Sequence, residues 1–263
     1  GDIEINKVAI LAGIIGYLLS DGSLFESNKR LYASFCHSNE ESAIQLQNDL
    51  EFIGFKRNKI HKQTRTGTYG KDTDNVSKTT QTGYTYIYSG TFPLLLKALG
   101  VTVGRRTEQI SSLPNFILNG HKEVKRSFLS GIFGGDGSKI YCTKRSRGDY
   151  LYSIGPLSMS KIPEHVDTLV DIFKIISEML SLFDVKTNPI TVYNGKFGKL
   201  EVSLPLSRSS ENIIKFYNEI GFKYDTYKNH SSGIVVEYLK YKNRKYQNRL
   251  DDVLTIQYKF NNG

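Results

Sequence analysis

Apolar residues run almost unbroken from Val8 to Leu19, and the run stops at Ser20-Asp21-Gly22. A stretch that is apolar on every side predicts a helix buried all round. It is too short to span a bilayer, which takes about 20 such residues. A second segment of the same kind, SFLSGIFGGDGSK, occupies residues 127–139. Aligned so that Asp21 meets Asp136, the two segments also match Gly16 with Gly131, Gly22 with Gly137 and Ser23 with Ser138. An internal repeat of this kind predicts duplicated structural units.

The polar and apolar pattern after each copy repeats as well. LFESNKRLYASFCHS reads as a hairpin turning at Ser27-Asn28, and KIYCTKRSRGDYLYSI as one turning at Arg147-Gly148. A helix follows each. The first opens with a capping box from Ser38 to Glu41 and carries Ala43, Leu46, Leu50 and Ile53 at helical spacing; the second begins at Pro163. Further strand pairs come next: KIHKQTRTGTYG with GYTYIYS, and PITVYNG with GKLEVSLPL. Short helices ending in Gly100 and Gly221 close the two halves. The predicted fold is therefore α+β, two pseudo-symmetric α-ββ-α-ββ-α halves with antiparallel sheets packed on helices. The first half covers 1–106, a linker 107–122, and the second half 123–263 with a tail whose place the pattern does not fix. The polar stretch TYGKDTDNVSKTTQTG reads as a loop ordered by its ligand.

Composition narrows the partner. The chain has 263 residues, 39% of them hydrophobic, enough for a substantial core. A net charge of +9 favours a polyanion such as nucleic acid. Cys36 and Cys142 lack the spacing of a zinc site or a disulfide framework and read as small buried hydrophobes. With no signal-peptide pattern, the expectation is a soluble intracellular protein with no membrane partner; organelle, nucleus and prokaryotic cytoplasm stay open.

The repeated helices carry candidate chemistry. Gly16 and Ser20 lie four apart, as do Gly131 and Gly135, so small residues line one face of each helix and permit close packing. Side-by-side packing would bring Asp21 and Asp136 together at two negative helix ends. Two carboxylates there are costly unless a divalent cation neutralises them. Carbonyl oxygens of Ser20 and Gly135 could complete the shell, and oxygen-only ligands suit magnesium or manganese rather than zinc. Such a site fits phosphodiester hydrolysis.

The segments IIGYLLSDG (14–22) and LSGIFGGDG (129–137) resemble the repeated motif of the LAGLIDADG homing endonucleases, monomeric two-motif type. Gly and Tyr or Phe replace parts of that motif, while the packing glycine and the Asp-Gly end are kept twice. The resemblance extends over nearly the whole chain through the order of elements. It implies saddle-shaped sheets astride double-stranded DNA, the motif helices at the interface, and metal at Asp21 and Asp136. It also implies an intron- or intein-encoded enzyme that cuts both strands by direct water attack, leaving short 3′ overhangs. A basic residue near the metal in each half is a further implication: Lys228 in the second half, and Arg105 or Arg106 in the first. Such a cation could stabilise the transition-state phosphate.

Strand alternation supplies the DNA-facing candidates. These are Arg30, Tyr32 and Ser34, then Lys59, His61, Gln63 and Arg65 in the first half. In the second they are Lys139, Tyr141, Thr143, Arg145 and Arg147, with Lys196 and Lys199 on the next hairpin. Two other functions share this fold: an RNA maturase assisting intron splicing, and a non-catalytic DNA-binding regulator. Retention of both aspartates weighs against each.

Overall fold

A computed structural model describes residues 2–69, 77–146 and 150–261, with side chains for 4–64, 82–146 and 150–251. The first apolar segment is helix α1 (Asp2–Asp21), which passes directly into a hairpin of β1 (Gly22–Ser27) and β2 (Arg30–His37). The hairpin turns at Asn28-Lys29, one residue beyond the expected place. Both residues take left-handed backbone, φ 49° and 60°, the turn whose twist matches paired strands. Helix α2 (Glu40–Phe52) starts at Asn39, whose side chain accepts from the Ser42 N–H at 2.8 Å. Asn39 thus takes the capping role expected of Ser38. Strands β3 (His61–Tyr69) and β4 (Ser77–Ser89) and helix α3 (Thr91–Ala98) complete the half, in a sheet ordered β1-β2-β4-β3. Much of the stretch expected as a polar loop is strand; its centre, 70–76, lies outside the described residues.

After a short helix α4 (Asn115–Leu118) comes α5 (Lys122–Gly135), the second motif helix. It leads to β5 (Ile140–Lys144) and β6 (Tyr150–Ile154), then to β7 (Leu157–Lys161), which the sequence pattern did not reveal. Gly155 and Pro156 explain the difference. Proline has no N–H to donate to a ladder, so what β2 does as one strand is divided here. β6 pairs with β5, and β7 pairs with β9 (Leu200–Leu204), which in turn pairs with β8 (Thr191–Asn194). Counting β6 and β7 as one, the strand order repeats that of the first sheet. Helix α6 (Val166–Ser181) lies between β7 and β8, and α7 (Ser210–Glu219) follows β9. Every sheet is antiparallel, so the fold is α+β as expected. The chain ends in α8 (Thr226–Asn261), which contains the tail. No helix among the described residues is long and apolar enough to cross a membrane.

Helices α1 and α5 pack backbone to backbone. A methyl group on Gly16 would overlap the Phe128 carbonyl oxygen, and one on Gly131 would overlap that of Gly13. Beside Gly135 sits Ser20, whose hydroxyl turns back to the Tyr17 carbonyl at 2.9 Å. Flanking this seam are fully buried Ile14, Ile15, Leu18, Phe128 and Phe133. The cysteines depart from expectation: both are exposed. Cys36 follows Ser34 on the outer face of β2, while Ala33 and Phe35 take the core face.

The segment that closes each half docks on the opposite half. In the second half, Tyr224 donates its N–H to Gln45 Oε1 and its hydroxyl to Asp49 Oδ2 (3.1 and 2.7 Å). The Thr226 N–H donates to Ser42 Oγ at 2.9 Å, and Lys223 pairs with Asp49 at 2.6 Å. In the first half, the stretch expected as a linker is likewise packed. The Ile162 N–H donates to the Thr107 carbonyl and the Ser111 N–H to Thr168 Oγ1, at 2.9 and 3.0 Å.

His37 sits at the heart of the first of these contacts. It is 3% exposed, stacks on Tyr17 at 4.8 Å, and its ring nitrogens meet the Tyr224 carbonyl and the Tyr86 hydroxyl. Burial pushes its pKa down to about 4. The unfolded chain takes up this proton below about pH 6.5 while the folded protein resists it, so stability is complete above about 6.5 and falls as pH drops towards 4. The expected loss is about 3 kcal/mol across that window. Urea unfolding at pH 7, 5.5 and 4.5 should show it in the native chain and show less in His37→Gln; equal slopes in both would sink this assignment.

Candidate active site

The two motif helices end side by side, each in an aspartate. Asp136 caps α5 and is half-buried, and Asp21 closes α1 with part of the residue reaching solvent. Burial raises the Asp136 pKa to about 6, Asp21 adds to the rise, and Arg106 and Lys228 oppose it. Asp21 is also raised by burial, opposed chiefly by Lys228 and then Arg106. Nearby negative charge adds to burial in both cases, from Asp21 at Asp136 and from Asp225 at Asp21.

Each helix end is also held by a cation. The Arg106 guanidinium donates to the Ser20 carbonyl. Lys228 donates to the carbonyls of Gly134, at 2.7 Å, and Gly135. Positive charge at a helix C-terminus is stabilising, and here it comes from the segment closing the same half. The charges also act across the interface: Arg106 is favoured most by Asp136, and Asp21 most by Lys228. Of the two arginines expected for the first half, both line the cleft beside the aspartates, but only Arg106 bonds a motif-helix end. Arg105 points outward and pairs with Glu108 at 3.2 Å. The Ser20 and Gly135 carbonyls, expected to face a metal, are engaged by these cations.

Among the described residues no group of three or more His, Cys, Asp or Glu side chains could hold a metal ion. A divalent cation would rest on the Asp21 and Asp136 carboxylates, with water completing its shell. That donor set fits a hard, partly hydrated ion such as magnesium. The raised Asp136 is the observation that favours the fit, since a bound cation would relieve the carboxylate repulsion. A cleft of about 640 Å³ opens beside the pair, lined in part by Phe25, Arg106, Asp136, Ser160 and Lys161.

Two residues of the site escaped the sequence reading. Lys161 is 4% exposed and donates to the carbonyls of Arg106 and Gln109, fixing the segment that carries Arg106. Nothing in LSMSK distinguishes it from a surface lysine. Asp225 caps α8 by accepting from the Lys228 N–H at 2.8 Å and also pairs with the Lys228 ammonium at 3.6 Å. An Asp just before a helix start is a capping signal that could have found it.

The polar sheet faces are placed largely as the alternation requires. Tyr32 and Ser34 lie opposite Ser89 and Ile87, on the face turned away from Ala33 and Phe35. Arg30, Lys59, His61 and Gln63 are exposed, with Lys59 just ahead of β3. Ile87, 50% exposed, and Thr85 belong to this surface too and were missed; the pairing register is what reveals them. In the second half Tyr141, Thr143, Arg145 and Lys196 are exposed. Two of the lysines have partners within the fold. Lys139 donates to the Tyr227 hydroxyl at 3.1 Å, and Lys199 to Thr107 Oγ1 at 3.0 Å, so helix α8 and the connector hold them. The Arg65 side chain and Arg147 lie outside the described residues.

No family model matches the chain. Over 251 residues it is 30% identical to the tRNA-splicing ligase RtcB of Methanopyrus kandleri, covering 92% of this chain and 24% of that protein. It is 29% identical to the replication factor C small subunit of Methanocaldococcus jannaschii, covering 90% of this chain and 12% of that protein. With the RNA polymerase subunit Rpo1N of the same organism the identity is 30%, covering 92% and 18%. The chain thus spans about a quarter or less of the length of the curated relatives it matches. Among solved structures, the homing endonuclease I-WcaI bound to its DNA recognition sequence aligns with 85% of this chain and 86% of its own, at TM-score 0.43 and 15% identity. The N-terminal LAGLIDADG domain of WhiA aligns with 84% and 90%, at TM-score 0.39 and 12% identity.

Proposed function

We propose that this chain is a magnesium- or manganese-dependent homing endonuclease that hydrolyses both strands of a long double-stranded DNA site as a monomer, leaving short 3′ overhangs. The observation that carries the reading is the pair of aspartates at the ends of two close-packed helices, each end braced by a cation from its own half. The divalent ion would supply Lewis-acid polarisation of the phosphate and a more acidic water. Asp21 and Asp136 hold that ion. Arg106 and Lys228 offset the negative helix ends and present positive charge where the attacked phosphate gathers negative charge. Lys161 and Asp225 fix those two cations in place. Polar side chains of both halves, half-buried Tyr32 and exposed Gln63, Tyr141 and Arg145 among them, read the flanking base edges.

The relatives support a mobile module more than any one host activity. A tRNA-splicing ligase, a replication factor subunit and an RNA polymerase subunit share no activity in their names. A similar segment of each nonetheless matches at least 90% of this chain. A segment recurring within such different proteins behaves as an insertion, as an intein-borne nuclease would, so RNA ligation does not transfer to this chain.

Selection of cut products from a randomised duplex library tests the proposal, with native protein, Asp21→Asn and Asp136→Asn, in magnesium and then calcium. One long cut site, requiring magnesium and both aspartates, is expected. Selective binding without cutting in any metal would point to a regulator, and no DNA selectivity would point to intron RNA. The braces allow a finer check. Lys228→Met and Arg106→Met should each slow double-strand cutting about 100-fold, with nicked circles accumulating from a supercoiled plasmid carrying the site. Unchanged linearisation rates would remove both residues from the mechanism.

A further inference from the structure

Helix α8 begins at the candidate active site and runs out alongside a hairpin. Lys228, in its first turn, holds the end of α5. Ser232 accepts from the Ile140 N–H at 2.9 Å, and Tyr238 meets Tyr152 at 5.6 Å. Tyr152 pairs with Cys142, so the helix runs alongside β5 and outward from the catalytic aspartates. The last pair of that hairpin is Lys144 with Tyr150. Beyond Tyr238 the helix continues, and of residues 241–251 all but Asn243 are exposed.

The edge of α8 that meets the hairpin at Tyr238 changes character further along the helix. Lys242, Lys245 and Arg249 follow Tyr238 at spacings of 4, 7 and 11, so they share its side of the helix. All three are exposed, and none is ion-paired within the described residues. Lys240 is different: it pairs with Glu237 at 2.7 Å. An uncovered basic edge continuing a sheet's flank has a polyanion as its natural complement. From Lys228 to Arg249 the helix rises about 32 Å, at about 1.5 Å per residue. At about 3.4 Å per base pair that is roughly nine base pairs of B-DNA.

We propose that the projecting part of α8 is an arm that grips duplex phosphates through Lys242, Lys245 and Arg249, on the flank bound by the second half and about nine base pairs from the cut. The proposal rests on the duplex-DNA substrate proposed above. It makes the footprint asymmetric, since the first half has no comparable helix among the described residues.

Binding to a 40-base-pair mixed-sequence duplex, measured across a salt series, tests it. The variants are Lys242→Ala/Lys245→Ala/Arg249→Ala and, for the opposite side of the helix, Lys240→Ala/Arg244→Ala. The triple variant should lose about 2–3 from the slope of log affinity against log salt and bind about tenfold more weakly at low salt. The opposite-side variant should change the slope by less than 1. Trimming the second-half flank of the selected cut site should weaken the native chain and leave the triple variant unaffected. Equal slopes in the two variants, or equal loss on trimming, overturns the arm. Lys242, Arg244, Lys245 and Arg249 are exposed and Lys240 is partly so in a surface ion pair, so thermal unfolding should change little in either variant. Cleavage that fails in every metal while the arm effect persists would defeat the nuclease reading alone; intact cleavage without the arm effect would defeat the arm alone.

Discussion

Asp136→Asn will abolish cleavage and, in the same preparation, make the metal-free protein more stable. The loss of activity should be at least about a thousandfold, because a metal ligand contributes several kcal/mol to such a transition state. The gain comes from the raised pKa. A carboxyl held near 6 in the fold contributes stability that is full below its ordinary value near 3.8 and lost as pH rises through about 6. At neutral pH the charged Asp136 therefore strains the fold. It is half-buried, so solvent reduces the effect to about 1–2 kcal/mol. Thermal unfolding in chelator should show Asp136→Asn melting above the native chain. Added magnesium should then stabilise the native chain and not the variant. A variant that melts lower in chelator, or gains equally from magnesium, would show that Asp136 is no metal-binding carboxylate under strain.

Gly131→Ala is expected to be among the most damaging single methyls at the described glycines. Its Cβ would overlap the Gly13 carbonyl oxygen, a backbone atom at the seam of α1 and α5 that no rotamer change can move aside. Overpacking usually costs about 1–3 kcal/mol, and an unyielding backbone neighbour takes it to about 3 kcal/mol or more. Because Asp21 and Asp136 sit at the ends of the same two helices, separation there should also weaken magnesium binding. Gly83→Ala provides the comparison. Its Cβ would meet only ordinary contacts, the nearest being Cys36 Sγ at 3.7 Å, and the urea midpoint should barely move. Similar midpoints for the two variants would contradict the close-packed seam.

The repeat made much of this readable in advance. Matched glycines and a matched Asp-Gly end predict two buried helices meeting at their carboxylates, and that is where the structure puts Asp21 and Asp136. Alternation along β2 likewise separates Tyr32 and Ser34 from Ala33 and Phe35, because a strand's two faces differ at every step. What escaped was set by tertiary contact. Arg105 and Arg106 are neighbours in a segment without periodicity, and only docking on the second half turns one inward. Lys161 is buried by partners more than 50 residues away along the chain, so its surroundings in sequence carry no mark of it. The apolar pattern does not place the tail for a related reason: α8 continues past its last buried turn, and the period weakens along its exposed length.

The crossed docking of the closing segments bears on how such a chain can be recombined. Two halves of equal plan invite treatment as interchangeable parts, joined anywhere in the connector. Tyr224 and Thr226, however, are moored to Asn39, Ser42, Gln45 and Asp49, while Thr107 and Ser111 are moored to Ile162 and Thr168. Replacing residues 1–106 with a counterpart from another chain would set Lys228 adrift without altering one residue of its own half. The exchangeable unit is thus discontinuous. It consists of one half without its closing segment, together with the closing segment of the other.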